Sequence, residues 1–260
     1  MMQPFQDRRE AGRLLAMKLR EYAFRPDVTV LALPRGGVPV AWEVARALDA
    51  PLDVCLVRKL GVPGHEEFAM GAIATGGVCV LQDDTIRELG ITPDEIERVA
   101  LAERQELARR ERFYRAGRPP LDVRGRTVIL IDDGLATGAT MSAAVTALRA
   151  HDPAAIVVAT PVAARSTCEA MREIADSCIC VAAPDQFYAV GFWYRNFVPT
   201  TDDEVRSLLD LSDQHVPALT DSGMAAMSSE QWASVMRDDE PDAGRRQSRR
   251  GRRRGSALRR

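Results

Sequence analysis

Two adjacent carboxylates, Asp132 and Asp133, end the apolar run "TVILI", and "ATGAT" (136–140) follows them almost at once. Each half of this stretch has its own chemistry. Backbone N–H groups at a helix start attract anions, Gly138 permits close approach, and the hydroxyls of Thr137 and Thr140, which follow Ala136 and Ala139, add donors, so the turn suits a phosphate monoester. The acids need a different partner. They are placed to accept hydrogen bonds from a vicinal diol, or to meet a hydrated divalent cation, a few ångströms from that phosphate. A ribose 5-phosphate answers both demands. Neither G-x-x-x-x-G-K-[ST] nor G-x-G-x-x-G occurs, which excludes the Walker and dinucleotide loops.

Such a turn must be carried by a strand and a helix, and the chain offers several of each. Apolar, β-branched runs at 28–33, 52–57, 127–131, 155–160 and 177–183 read as strands covered on both faces. Helical spacing at 38–48, 138–150 and 165–175 lies between them, so a mainly parallel α/β sheet is expected. A second strand, turn and helix stands at 31–48, "LALPRGGVPVAWEVARAL", where Arg35, Gly36 and Gly37 form either an anion-binding turn or a plain one. An N-terminal helix is expected within 1–27.

Between the second and third strands, 58–126 form an insertion longer than a crossover needs. "RKLGVPGHEEFAMGAI" (58–73) reads as a mobile loop, rich in glycine and charge. It offers Arg58 and Lys59 either to an anion or to solvent, and His65, Glu66 and Glu67 either for acid/base work or as exposed charge. "GGVCVLQ" reads as a short strand. A long helix should start at Thr92 as N-cap with Pro93 behind it and run to about Ala116, its Glu and Arg residues at four-residue spacing forming a solvated face.

Charge is distributed unevenly. Nine of the 35 basic residues are arginines in 245–260, leaving 26 bases against 37 acids elsewhere. This tail is expected to be disordered and available for nonspecific contact with nucleic acid, or to fold back on the acidic body. A linker with a short helix near 229–237 is expected over 211–244. Cys55, Cys79, Cys168, Cys178 and Cys180 form no C-x-x-C pair, so neither a disulfide framework nor a zinc ribbon is suggested, and reduced, buried thiols are expected. The chain shows no apolar run of membrane-spanning length and no signal-peptide core, and a cytoplasmic location is expected.

"VILIDDGLATGAT" (128–140) resembles the PRPP motif of type I phosphoribosyltransferases, which bind phosphoribosyl pyrophosphate (PRPP): an apolar strand, two acids, a spacer and T-G-x-T. Arg35, Gly36 and Gly37 match that family's pyrophosphate loop. The resemblance covers roughly 28–200 and implies a five-stranded parallel sheet, a flexible catalytic loop at 58–73 and a small hood over the acceptor, within a domain spanning 28–210. It further implies Mg²⁺ held at Asp132 and Asp133, catalysis by these acids with Glu66 and Glu67, and PRPP contacts from Arg35 to Gly37, Arg58, Lys59 and Ala136 to Thr140. The hood falls at 184–200, where Phe187, Tyr188 and Trp193 are candidates to stack on a base or to serve as core. Partners so implied are PRPP, a nitrogen acceptor such as a nucleobase, and a second copy of the chain in a homodimer. Ala136 stands where 6-oxopurine enzymes carry an acid, and Ala154 and Ala155 precede "IVVATP" where a lysine would read the oxo group, which argues against hypoxanthine or guanine. A second class remains open, a nucleotide-binding regulator of the same fold that uses the arginine tail on nucleic acid.

Overall fold

The predicted strands pair as expected in the computed structural model, which describes residues 4–214 apart from the side chains of Glu66 and Glu67. β1 (Val28–Ala32), β2 (Leu52–Val54), β6 (Thr127–Ile131), β7 (Ala155–Val162) and β8 (Ser177–Ala182) form one sheet in the order β2-β1-β6-β7-β8. Every pairing is parallel, with Ala32 opposite Ile131 and Ile131 opposite Ala159. β1 and β6 are buried along their whole length, which explains their unbroken apolar character.

Side chains alternate across this sheet. One face, with Leu31, Leu130 and Val158, packs with Met141 and Leu148 of α5 (Ala139–Arg149) and Met171 of α6 (Arg165–Ile174). α1 (Arg8–Lys18) packs against α2 (Gly37–Leu48), β7 and β8, so the N-terminal helix is part of the domain body. Phe5 pairs with Tyr194 as a parallel bridge, donating from its N–H to Trp193 O at 2.8 Å and accepting from Arg195 N at 2.8 Å.

The stretch expected as a mobile loop is instead a hairpin. β3 (Val57–Val62) and β4 (His65–Ala74) pair antiparallel around Pro63 and Gly64, and β5 (Cys79–Leu81) adds a third strand. Leu60, Val62, Met70 and Ile73 are buried, because this sheet packs on α5 and on α4 (Pro93–Tyr114). Glycine and charge signalled a loop, but the Pro-Gly turn between two apolar edges wins. Bulges near Gly61 break the alternation that would have announced the strands.

α4 starts as read: Thr92 and Glu95 form a capping box, and Pro93 is the first helical residue. Ala100, Leu107 and Tyr114 are buried on its inner side. Arg115 grips Asp53 of β2 at 2.9 Å, fixing the end of the helix to the parallel sheet. Two helices were not anticipated, α3 (Asp83–Leu89) and α7 (Asp202–Gln214), and the second runs past the expected domain limit at 210. The expected short helix near 229–237 and the arginine tail lie outside the described residues. Among the described residues no helix is long and apolar enough to cross a membrane.

Candidate active site at the carboxyl edge of the sheet

Asp132 and Asp133 leave the end of β6, the central strand, and the turn they begin is fixed from several sides. The Asp133 N–H donates to Asp132 Oδ1 at 2.8 Å, and the buried Tyr194 hydroxyl donates to the Asp133 carbonyl at 2.6 Å. Thr167 of α6 donates to the Ala136 carbonyl at 2.5 Å. Leu135 bridges to Ala163 beyond β7. α5 then opens on Gly138, whose φ of 73° is a left-handed conformation that disfavours any side chain. Among the described residues no acceptor takes the N–H of Ala136, Thr137 or Gly138, and Thr137 and Thr140 present exposed side chains. Unpartnered N–H groups at a helix start have the chemistry to meet an anion.

The glycine turn after β1 lies directly against these acids. A Cβ on Gly36 would come within 2.1 Å of Asp133 Oδ2, and one on Gly37 within 2.7 Å of the Ile131 carbonyl. Only glycine allows the two turns to approach so closely. The Gly37 N–H is not available to a ligand, since it donates to Leu33 O at 3.1 Å. The peptide between Pro34 and Arg35 is cis.

Burial raises the pKa of both carboxyls. Asp132 is pushed well above its ordinary range, first by burial and then by the charge of Asp133. Asp133 is raised by burial against the opposing pull of Arg8. Arg8 Nε donates to Asp133 Oδ2 at 2.8 Å, its Nη1 donates to the Val198 carbonyl at 2.8 Å, and its guanidinium lies over the Phe197 ring at 4.0 Å. Sequence reasoning missed Arg8, Tyr194 and Phe197, because no motif ties the first helix to the diacid.

The hood aromatics divide. Phe187 and Trp193 pack on the cluster of Phe5, Ala11, Val162 and Tyr194, whereas Tyr188 is 81% exposed beside Phe192 at 75%. The three expected base contacts therefore do not form one platform.

Arg58 and Lys59 divide as well, since consecutive strand residues face opposite ways. Arg58 lines a polar cleft of about 330 Å³ with Arg35, Arg109, Arg110, Tyr114 and Asp202. Lys59 lines a more apolar cleft of about 460 Å³ between the antiparallel sheet and α5. Val57 and Thr140 border both clefts, so the two meet at the phosphate-type turn. In the first cleft Arg58 pairs with Glu103 at 2.6 Å, Arg35 lies 3.7 Å from Asp202, and Tyr114 donates to Asp202. Burial and that hydrogen bond push the Tyr114 hydroxyl up to about 12. Arg109 and Arg110 belong to the helix face read as solvated; both pair with Glu106, at 2.7 and 2.8 Å, while bordering this cleft. His65 is exposed at the start of β4, and the side chains of Glu66 and Glu67 lie outside the described residues.

The family model described as "Phosphoribosyl transferase domain" matches residues 6–194. Two Mycobacterium tuberculosis proteins, from strains H37Rv and CDC 1551 and each provisionally named a phosphoribosyl transferase, are 46% identical over 209 residues, covering 80% of this chain and 47% of theirs. The chain thus spans about half the length of these curated relatives. The crystal structure of TT1426 from Thermus thermophilus is similar with a TM-score of 0.73 and 44% identity, covering 80% of this chain and 98% of that one.

Proposed function

Since the chain belongs to the phosphoribosyl transferase family, we propose that it transfers the phosphoribosyl group of PRPP to a nitrogen acceptor, such as a nucleobase, with release of pyrophosphate. The observation that carries this reading is the contact between the Gly36–Gly37 turn and the Asp132–Asp133 pair, which sets a diol-binding and an anion-binding element side by side. The N–H groups of Ala136 to Gly138, with the Thr137 and Thr140 hydroxyls, hold the 5-phosphate. Asp132 and Asp133 accept from the ribose hydroxyls. Arg35, Arg58, Arg109 and Arg110 face the pyrophosphate.

In the reaction the acceptor's nitrogen lone pair forms the new C–N bond while the anomeric C–O bond breaks, and that electron pair leaves with pyrophosphate. Positive charge develops on the ribose ring, where the two carboxylates stabilise it electrostatically. Mg²⁺ suits their hard oxygen donors, and the mutual repulsion that raises Asp132 favours a cation there; when bound it would disperse charge on the leaving group. His65, Glu66 and Glu67 on the β3–β4 hairpin are the candidates for proton transfer to or from the acceptor.

Calorimetric titration of Mg-PRPP into the protein and into an Asp132→Asn/Asp133→Asn variant tests the site, and a pyrophosphate-release screen across free bases tests the reaction. Binding abolished in the variant, with release for one base, is the expected result. Binding without release for any base would move the assignment to a nucleotide-binding regulator, and no binding would remove both.

A further inference from the structure

Three cysteines that the sequence scatters meet on the α6 side of the parallel sheet. Cys178 and Cys180 are two residues apart in β8, so both point to the same face. Cys168 descends on them from α6. The Sγ atoms are 3.4 Å apart for Cys168 and Cys178, 3.0 Å for Cys168 and Cys180, and 3.9 Å for Cys178 and Cys180. Cys168 is 2% and Cys178 6% exposed, while Cys180 is only partly covered, leaving an approach from solvent on its side. Among the described residues this is the one group of His, Cys, Asp or Glu side chains close enough to share an ion.

We propose that Cys168, Cys178 and Cys180 bind a single soft metal cation through three thiolates. Sulfurs that share a zinc-sized ion at about 2.3 Å stand roughly 3.8 Å apart, so small side-chain rotations convert the observed triangle into a coordinating one. No His, Asp, Glu or further Cys joins them among the described residues, which suits a three-coordinate monovalent ion such as Cu(I); Zn²⁺ would need water as its fourth ligand on the Cys180 side. Binding releases the three thiol protons to solvent. Three thiolates leave a net negative complex with either ion, and the positive charge of Arg172 acts on Cys168 and Cys178 to offset it.

The position gives the cation a structural consequence. Thr167, the residue before Cys168, holds the Ala136 carbonyl at 2.5 Å. A Cβ added at Gly138 would meet Thr167 Cγ2 at 2.8 Å and Met171 Cε at 3.1 Å, so α6 is the floor on which the phosphate-type turn rests. A cation joining α6 to β8 braces that floor, whatever ligand the turn itself accepts.

The test uses the full chain, reduced, stripped of metal and kept anaerobic. Cu(I) is titrated in competition with a chromophoric Cu(I) chelator, Zn²⁺ in a separate arm against a zinc indicator, and free thiols are counted in both. One bound equivalent with three of the five thiols protected is expected, and the arm that competes better names the ion. Affinity should fall by more than about 100-fold in Cys180→Ser, beyond the cost of losing an outer-shell partner. Cys79→Ser, which alters a cysteine in the other sheet, should bind as the parent does. Cys180→Ser changes the most accessible of the three, and its circular dichroism and melting curve check folding; Cys180→Ala serves if serine disturbs it. Equal affinity in the Cys180 variant, failure to compete in both arms, or loss of two thiols to a disulfide on exposure to air without metal uptake by the reduced protein would each overturn the proposal.

Discussion

The turns around the diacid and the tip of the β3–β4 hairpin are both glycine-bearing and flanked by charge, yet their glycines do opposite work. At Gly36, Gly37 and Gly134 an added Cβ would lie within 2.1, 2.7 and 2.4 Å of Asp133, Ile131 and Val190 respectively. At Gly64 nothing stands within 4 Å. Glycine near the acids therefore serves proximity, with three segments converging on the space a side chain would fill. At the hairpin tip it serves only the left-handed backbone that the turn requires, with φ at 78°. The same residue type is thus a packing constraint in one region and a conformational one in the other. Substitution should separate these roles.

The largest effect belongs at the crowded end. Gly36→Ala must displace the Asp133 carboxylate or the turn itself, and Mg-PRPP affinity by calorimetry should fall by at least about 1,000-fold, or ~4 kcal/mol at 1.4 kcal/mol per tenfold. Near-parental affinity would show that the close approach is not needed for the ligand. Next comes Arg8→Ala, which removes the ion pair to Asp133 and the stacking on Phe197. Leaving a partly buried carboxylate without its partner should cost about 3 kcal/mol in urea unfolding. A cost within about 1 kcal/mol, the range of exposed pairs, would mean that water replaces the guanidinium freely.

How far the sequence carried this contrast follows from the range of the forces involved. The strands, α2, α5 and the turn between β6 and α5 were legible because local periodicity, a left-handed Gly138 and the run "IDDGLATGAT" encode them over a few consecutive residues. The cap of α4 was legible for the same reason. Arg8 was not, since its partner lies 125 positions away and nothing local marks it. Arg109 and Arg110 pair with Glu106 along an exposed face as read, but that they also border a cleft was not legible, because alternating Glu and Arg look alike wherever the helix packs. The hairpin was read as a loop because bulges interrupt its alternation, and the cysteine triad was invisible because only the packing of α6 on β8 assembles it.

A smaller effect tests whether the crowding at the acids costs stability. Burial and the Asp133 charge raise the Asp132 pKa, so the folded protein holds that proton more tightly than the unfolded chain. Asp132 thus contributes stability that is fully present below the ordinary carboxylate range and is lost as pH rises through its raised folded pKa. Asp132→Asn, which keeps an acceptor for the Asp133 N–H, should melt higher than the parent at pH 7 in the absence of ligand. Each kcal/mol gained is roughly 2–4 °C in a domain of this size. The gap should close as pH falls below about 4. An asparagine variant no more stable at pH 7 would show that the acids are comfortably solvated.

The smallest effect belongs at the open end. Gly64→Ala meets no atom, so its whole cost is that of a side chain in a left-handed conformation, about 1 kcal/mol. Mg-PRPP affinity should stay within about twofold, or ~0.4 kcal/mol, because neither cleft is lined by Gly64. Paired melting and calorimetry on Gly36→Ala and Gly64→Ala then give a two-by-two reading: ligand affinity should respond to the first substitution alone, stability to both. If Gly64→Ala instead weakened PRPP binding as strongly as Gly36→Ala, the hairpin tip would have to reach the bound ligand, and the distinction between packing glycines and turning glycines would fail at the position where the structure draws it most clearly.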